Sequence, residues 1–260
     1  TWYEKHDISS TDMHPFLHAF SPAIDPPWEA KTDHETFKAL AYEFTRLAKK
    51  HLGVRKDIVS VPLLHDTPGQ IAQPGGHAPD WKNTPGMEGV PGKNMPNFVT
   101  VERDYGALYD MYTTVGPLFD KLGATTKFIT YDLKDEVAKM AKEFGVMDSG
   151  KGAGRPALDT DVKIAESIMM ISGTSNGEVA IKGFKELEKQ TGLHLMDLAE
   201  GNEERRITFP MTQAAPQPVM TSPEWSGSET GGRRYAPFTV NIEKKKPFHT
   251  LTGRMHFFLD

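Results

Sequence analysis

The chain of 260 residues contains no cysteine. This absence excludes a disulfide framework, a zinc site with cysteine ligands and a cysteine-held iron–sulfur cluster within these residues. It also excludes a cysteine nucleophile. A serine nucleophile elbow is not predicted either. Reactions that need any of these groups are therefore not predicted for this stretch of sequence.

Long apolar runs and an excess of positive charge are missing as well. No run approaches the roughly 18 apolar residues of a membrane-spanning helix, and the mean hydropathy is -0.48. The net charge is -5, from 30 Lys and Arg against 35 Asp and Glu, whereas a nucleic-acid surface normally shows a basic excess. We therefore predict neither a membrane span nor nucleic acid as a partner.

Proline and glycine, in contrast, are abundant. The chain has 19 Pro and 23 Gly, above the share of about 12% in an average protein. Both residues concentrate in 62–96 and 210–240, where we predict long irregular connections. The sequence starts at Thr1 and ends after an apolar, β-prone run at 257–259, whose exposed edge would be adhesive. We expect the chain to be a piece of a longer protein.

Residues 32–53 predict a helix with defined ends. Thr32 and Glu35 have the spacing of a capping box, and Gly53 follows the last turn. Apolar residues recur at three-four spacing, which predicts that one face of this helix is buried. The residues of this face are Phe37, Leu40, Ala41, Phe44, Leu47 and Ala48.

Helices and strands alternate along the rest of the chain, which predicts a mixed α/β class. Strands are predicted at 57–61, 98–102, 128–131 and 250–259. One helix is predicted at 104–112, with Asp104 as its cap. A second follows the strand at 128–131 and ends at about residue 144, before Gly145. Further helices are predicted at 160–172, at 176–190 behind a Ser175/Glu178 capping box, and over a short stretch at 194–199. The Gly-rich tract at 149–155 is predicted to be a flexible link.

Two short patterns near these elements carry candidate chemistry. Residues 150–155 resemble a phosphate-binding loop only superficially, because no strand precedes them and no Gly-Lys-Ser/Thr opens a helix. His14 and His18 would share one face of a helix, as in a zinc pair. Pro15 and the lack of a third ligand argue against a metal site. The interpretation we favour is a polar segment that faces a cofactor or substrate cavity.

A third pattern lies close to the end of the chain. Thr250, Thr252, Gly253 and Arg254 combine hydroxyls, an approachable backbone and a guanidinium group, which suit a phosphate or a pterin edge. The lysines at 244–246 are interpreted as a solvated charge run. The arginine pairs at 205–206 and 233–234 are interpreted as surface charges, with acidic groups of a partner as the alternative. From the residues alone we predict a soluble α/β protein and no particular reaction.

Several stretches together resemble one family, the catalytic (alpha) subunit of membrane-bound respiratory nitrate reductase. The matching stretches occur in the order of the family and cover essentially the whole chain. They are TWYEKHD at 1–7, SSTDMHPF at 9–16, PAIDP at 22–26, WE at 28–29, VERDY at 101–105, PFT at 237–239, NIE at 241–243 and FHTLTGR at 248–254.

This resemblance implies part of the central α/β domains of a molybdopterin oxidoreductase of the dimethyl-sulfoxide-reductase superfamily. It implies an irregular, cleft-lining segment over 1–31 and an α/β portion over 32–209, with a Pro/Gly-rich excursion at 62–96. An irregular linker over 210–248 would follow, and 249–260 would contribute the first strand of a cofactor-binding C-terminal β-barrel domain.

The resemblance also implies cofactors and partners. The full enzyme would hold molybdenum bis(molybdopterin guanine dinucleotide) and reduce nitrate to nitrite. Its iron–sulfur cluster would lie in the full subunit but outside this cysteine-free fragment. The implied partners are the remainder of the alpha subunit, an iron–sulfur beta subunit and a haem-containing membrane gamma subunit. The complex would be membrane-associated, on the cytoplasmic face.

The expected site residues follow from the same resemblance. Ser10, Thr11, Asp12 and His14 would line the cofactor cleft, and Thr250, Thr252, Gly253 and Arg254 would hold a pterin dinucleotide. We predict no catalytic residue and no metal ligand within the fragment, and no activity for the fragment alone. The alternatives are a related molybdoenzyme (nitrite oxidoreductase, selenate or chlorate reductase) and a stand-alone protein-interaction module.

Overall fold

A computed structural model describes residues 4–10, 16–61, 97–116, 119, 122–126, 129–192, 194–219 and 254 of the chain. The chain divides into two units. The first consists of Thr1–Leu52 and Tyr105–Val240, and the second of Gly53–Asp104 and Asn241–Asp260. No helix in the described part of the chain is long and apolar enough to cross a membrane.

The first unit contains helices and strands whose bounds are as follows. The helices are α1 (Asp33–His51), α2 (Leu108–Tyr112), α3 (Lys134–Phe144), α4 (Asp161–Ile171), α5 (Gly177–Thr191) and α6 (Phe209–Ala214). The strands are β1 (Asp7–Ser10), β2 (Phe16–Phe20), β5 (Ala124–Thr126), β6 (Ile129–Tyr131) and β7 (Gln217–Pro218). The second unit contains β3 (Val54–Val61) and β4 (Asn97–Asp104).

Helix α1 begins as its sequence predicts. The Thr32 hydroxyl accepts a hydrogen bond from the Glu35 amide at 3.2 Å, and the Glu35 carboxylate accepts one from the Thr32 amide. Basic side chains fill its last turn, which is favourable against the helix dipole. The predicted buried face is wrong in part, because only Ala41, Thr45 and Ala48 of this helix are buried. The four large apolar side chains of the predicted face are exposed.

A small antiparallel sheet lies within the segment that was predicted to be irregular. Strand β2 pairs with β1, Asp7 facing Phe20, and on its other side with β7. The sheet contacts α4 and α6 through one apolar cluster. The buried members of the cluster are Leu17, Ala165, Met169, Ile207, Phe209 and Val219. The prediction of irregular structure is therefore wrong at 7–10 and 16–20, where β1 pairs with β2 and β2 also pairs with the distant β7.

A second apolar cluster of this unit contains one face of helix α5. Val179, Ala180, Phe184 and Leu187 repeat along one face of the helix, as a helical period requires. They pack against Tyr131 and Leu133 beside β6 and against the turn Met196–Ala199. Helices α3, α4 and α5 occur where the sequence predicts them, and Gly145 ends α3 with φ 77°.

The second unit is described chiefly by one long hairpin ladder. Strands β3 and β4 pair antiparallel over eight residues each, from Val54 facing Asp104 to Val61 facing Asn97. Both predicted strands are confirmed, with β3 beginning three residues earlier. The predicted cap at Asp104 is wrong, because Asp104 ends β4 and the turn Tyr105–Ala107 precedes α2.

The mixed helix–sheet class is confirmed. Every strand ladder in the described residues is antiparallel, and no closed barrel forms among them. Helix α6 and strand β7 occupy 209–218, where an irregular linker was predicted. The excursion at 62–96 and the strand at 250–259 lie outside the described residues, apart from Arg254. The predicted domain boundaries stay predictions.

Candidate functional site

The predicted cofactor-binding residues fall mostly outside the described part of the chain. Thr11, Asp12, His14, Thr250, Thr252 and Gly253 lie there. Ser10 is the last residue of β1, where its backbone pairs with Leu17. Arg254 is described and is exposed. The roles of all eight residues therefore stay predictions.

His18 does not lie on a helix. His18 lies on strand β2, opposite Ser9 of β1, so the i, i+4 geometry that brings two ligands together on a helix is absent at this position. Among the described residues, no group of three His, Asp or Glu side chains is arranged to hold a metal ion.

A cavity lies beside the start of β1, within the segment that was expected to line the cofactor cleft. Its volume is about 140 Å³. The Nζ of Lys5 lies 2.8 Å from the Asp7 carboxylate and 2.9 Å from that of Asp33. Both carboxylates raise the pKa of Lys5, and Lys5 in turn lowers the pKa of Asp33. The residues that line this cavity are Lys5, His6, Asp7, Asp33, His34, Asp161, Ile164, Ala165 and Ile168.

His34 forms the inner wall of this cavity. Its ring stacks on Tyr112 with centroids 5.5 Å apart, and the Tyr112 hydroxyl donates to the His34 carbonyl oxygen at 3.4 Å. Burial raises the pKa of Tyr112. The Nε2 atom of His34 is buried and has no hydrogen-bond partner in the described part of the chain. The ion pair between Lys5 and Asp33 joins residues 5–7 to α1 beside this cavity.

The lining of this cavity does not fit a pterin guanine dinucleotide. Pockets for ligands of that class occupy about 300–1,000 Å³, more than twice the volume available here. The carboxylates of Asp7, Asp33 and Asp161 outnumber the single ammonium group of Lys5, so the wall would repel a pyrophosphate. We derive no chemical step through the cofactor from these residues.

A second cavity of about 380 Å³ lies along α1. Its lysines, Lys31 and Lys38, are matched by two glutamates, Glu35 and Glu43. It contains no arginine fork and no glycine-backed amides, which are the groups that recognise phosphate most specifically. This cavity does not fit the dinucleotide either.

The glycine-rich tract at 149–155 is an ordered loop, so the prediction of a flexible link is wrong. Residues Gly150–Gly152 form a 3-10 turn, and the Lys151 amide donates to the Asp110 carboxylate at 2.7 Å. Gly150 has φ 77°, and a Cβ there would lie 2.2 Å from an oxygen of Asp110. The carboxylate of Asp110 thus takes the place that an anion would need, which excludes phosphate binding at this amide.

Sequence reasoning missed a buried carboxylate, Glu166. It accepts hydrogen bonds from the Phe209 amide at 2.5 Å and from the guanidinium group of Arg206. Burial raises the pKa of Glu166, and the two donors oppose this shift. Arg206 was interpreted as a surface charge, and that interpretation is wrong because the residue pairs within the unit. The available signal was an acid among the apolar residues of α4.

The chain is similar to nitrate reductase alpha chains. A family model described as "Nitrate reductase alpha chain, domain V" matches residues 122–243. The nitrate reductase alpha subunit of Mycobacterium tuberculosis (strain H37Rv) is 59% identical over 259 residues. The nitrate reductase alpha chain of Bacillus subtilis is 46% identical over 262 residues. The respiratory nitrate reductase 2 alpha chain of Escherichia coli is 39% identical over 260 residues.

All three matches cover 100% of this chain and 21% of the relative. The chain thus spans about a fifth of the length of the curated relatives it matches. Alignments that cover the whole chain at 39% to 59% identity, together with the match to the domain model, indicate common descent. The chain therefore belongs to the nitrate reductase alpha-chain family, with residues 122–243 corresponding to domain V.

Proposed function

We propose that the chain is an internal segment of the catalytic alpha subunit of a respiratory nitrate reductase. The observation that carries this proposal is identity of 59%, 46% and 39% to three nitrate reductase alpha chains over the whole of this chain. The full enzyme converts nitrate, two electrons and two protons into nitrite and water. Molybdenum bis(molybdopterin guanine dinucleotide) would supply the oxygen-atom transfer when bound.

Within the full subunit, this segment would act as scaffold and as part of the cofactor cleft. Ser10, Thr11, Asp12 and His14 would line the cleft, and Thr250, Thr252, Gly253 and Arg254 would hold a pterin dinucleotide. Hydroxyl, amide and guanidinium donors suit its phosphates. The described cavities offer no such donor set, so the assignment is consistent with a cofactor held elsewhere in the chain.

The proposal extends to the assembly. The alpha subunit would receive electrons from an iron–sulfur beta subunit, which a haem-containing membrane gamma subunit supplies, in a complex on the cytoplasmic face of the membrane. The iron–sulfur cluster of the alpha subunit would be held outside these cysteine-free residues. The isolated chain would bind no molybdenum and reduce no nitrate.

The test uses the complete subunit and the variant Arg254→Ala. We expect the molybdenum and pterin content per subunit to fall several-fold. A matched control is Arg46→Ala, since Arg46 is exposed and pairs only with Glu43 across one turn of α1 among its described contacts. The control should retain full cofactor content. Unchanged content in Arg254→Ala overturns the assignment of that residue, whereas a complete subunit that reduces chlorate or selenate but not nitrate overturns the proposed substrate.

A further inference from the structure

Helix α1 has an apolar stripe that its own unit covers only in part. Ala41, Thr45 and Ala48 form the buried edge, which packs against the turn Tyr105–Ala107 and α2. The Thr45 hydroxyl accepts a hydrogen bond from the Tyr109 amide at 2.8 Å. The adjacent edge, which we call the α1 seam, consists of Phe37, Leu40, Phe44 and Leu47, whose exposed fractions are 57%, 59%, 40% and 47%.

The spacing of the α1 seam is that of a helix–helix contact. Its residues follow one another at intervals of three, four and three, which places them in one line along the helix. This is the a/d spacing that inserts side chains between those of a facing helix. With a rise of about 1.5 Å per residue, the seam is about 15 Å long. None of its residues belongs to the two apolar clusters that the described residues of the unit form.

Four large apolar side chains in one exposed line indicate an interaction surface. Exposed apolar residues on soluble proteins are normally scattered singly, and contiguous lines of them mark interaction sites. No charged residue interrupts the seam, since Lys38, Glu43 and Arg46 lie at other positions around the helix. A seam without charge is typical of a permanent contact, because transient interfaces are about as polar as the rest of a surface.

We propose that a second apolar helix from the remainder of the same alpha subunit, outside these 260 residues, covers the α1 seam. This inference rests on the proposed function. The relatives that match the whole chain are almost five times as long, since the chain covers 21% of them. Most of the polypeptide that would surround α1 therefore lies outside the chain.

The size of the seam also favours an occupant in the same polypeptide. Two separate copies of a protein need about 1,200–2,000 Å² of buried surface for a stable complex, and four side chains along one short line fall well below that area. A covalently connected helix needs much less surface, because its effective concentration reaches the millimolar range.

The seam can be tested by thiol labelling of the complete alpha subunit. The chain has no cysteine of its own, so Leu40→Cys and Phe37→Cys each add a single thiol that peptide mapping can follow with iodoacetamide. Lys49→Cys is the matched control, because Lys49 is exposed on the opposite side of α1. We expect Leu40→Cys and Phe37→Cys to react about tenfold more slowly than Lys49→Cys in the folded subunit, and all three to react equally in denaturant.

Three outcomes overturn the inference. The first is an equal labelling rate at Leu40→Cys and Lys49→Cys in the folded subunit. The second is that the seam thiols are protected from iodoacetamide only after the other subunits are added. The third is that this protection disappears when the subunit is diluted. The last two would indicate a different subunit or a second copy as the occupant. The wild-type subunit is assayed in parallel for nitrate-dependent viologen oxidation. Protected thiols in the two seam variants, together with an inactive wild-type subunit, would contradict the proposed function and not the seam.

Discussion

The Nζ atom of Lys182 lies 2.9 and 2.8 Å from the two carboxylate oxygens of Glu136. Glu136 has no exposed surface, whereas 28% of the Lys182 side chain is exposed. The pair joins α3 to α5, the helix at the centre of the larger apolar cluster. A buried carboxylate is tolerated only when a partner compensates its charge, so Lys182 holds these two helices together.

Replacing Lys182 with methionine should lower the free energy of unfolding by about 3 kcal/mol, because the carboxylate of Glu136 then remains buried without its counter-ion. Urea unfolding followed by circular dichroism measures this change. The control is Lys139→Met, since Lys139 and its partner Glu178 are each about half exposed, and such pairs contribute less than about 1 kcal/mol. Equal losses in both variants would contradict the role of the buried pair.

Gly177 leaves no room for a side chain at the start of α5. A Cβ at this position would lie 1.7 Å from the carbonyl oxygen of Asn202, and the Gly177 amide donates to the Arg205 carbonyl at 2.9 Å. We therefore expect Gly177→Ala to destabilise the first unit by about 2 kcal/mol through overpacking.

Gly116→Ala is the matched control for this substitution, because no atom lies within 4 Å of its added Cβ. Its effect should stay within about 0.5 kcal/mol. Thermal unfolding of the two variants measures the contrast, and an unchanged melting temperature for Gly177→Ala would contradict the close contact with Asn202.

Glu166 and Glu188 should give opposite pH dependences. Burial raises the pKa of Glu166 above its ordinary value of 4.5, so its stabilising contribution is present below that value and is lost as the pH rises through the native pKa. Hydrogen bonds from the amides of Leu195 and Met196 lower the pKa of Glu188. The contribution of Glu188 is present above 4.5 and is lost on acidification.

The measurement compares wild type with Glu166→Gln and with Glu188→Gln between about pH 4 and about pH 7. The free energy of unfolding of the wild type should fall relative to Glu166→Gln as the pH rises, and rise relative to Glu188→Gln. If the difference in free energy of unfolding between wild type and variant changed in the same direction with pH for both variants, the described environment of one of the two carboxyl groups would be wrong.

Local patterns predicted the helices well because caps and periodicity depend on neighbouring residues. The limits of this reasoning are visible at the start of α5, where Ser175 and Asn176 both have side chains that can cap a helix. The Ser175 hydroxyl donates instead to the Met169 carbonyl, and Asn176 accepts from the Glu178 amide. The predicted Ser175 cap is wrong because a residue six positions earlier competes for its hydroxyl.

Contacts between distant parts of the chain were not predictable in this way. Asp110 and Lys151 are 41 residues apart, and Glu166 and Arg206 are 40 apart, so no short motif reveals either pair. Periodicity correctly placed the large apolar residues of α1 on neighbouring lines of the helix. It could not tell that, in the described part of the chain, only the edge with Ala41 and Ala48 is buried, because burial depends on tertiary contacts.

The most direct measurement of the proposed activity is nitrite formation by the complete alpha subunit that contains these residues, with reduced viologen as electron donor. We expect one nitrite for every two electrons consumed, and no nitrite from the 260-residue chain alone. Turnover by the isolated chain, or a complete subunit that leaves nitrate unreduced while it is loaded with molybdenum, would contradict the assignment to a nitrate reductase catalytic subunit.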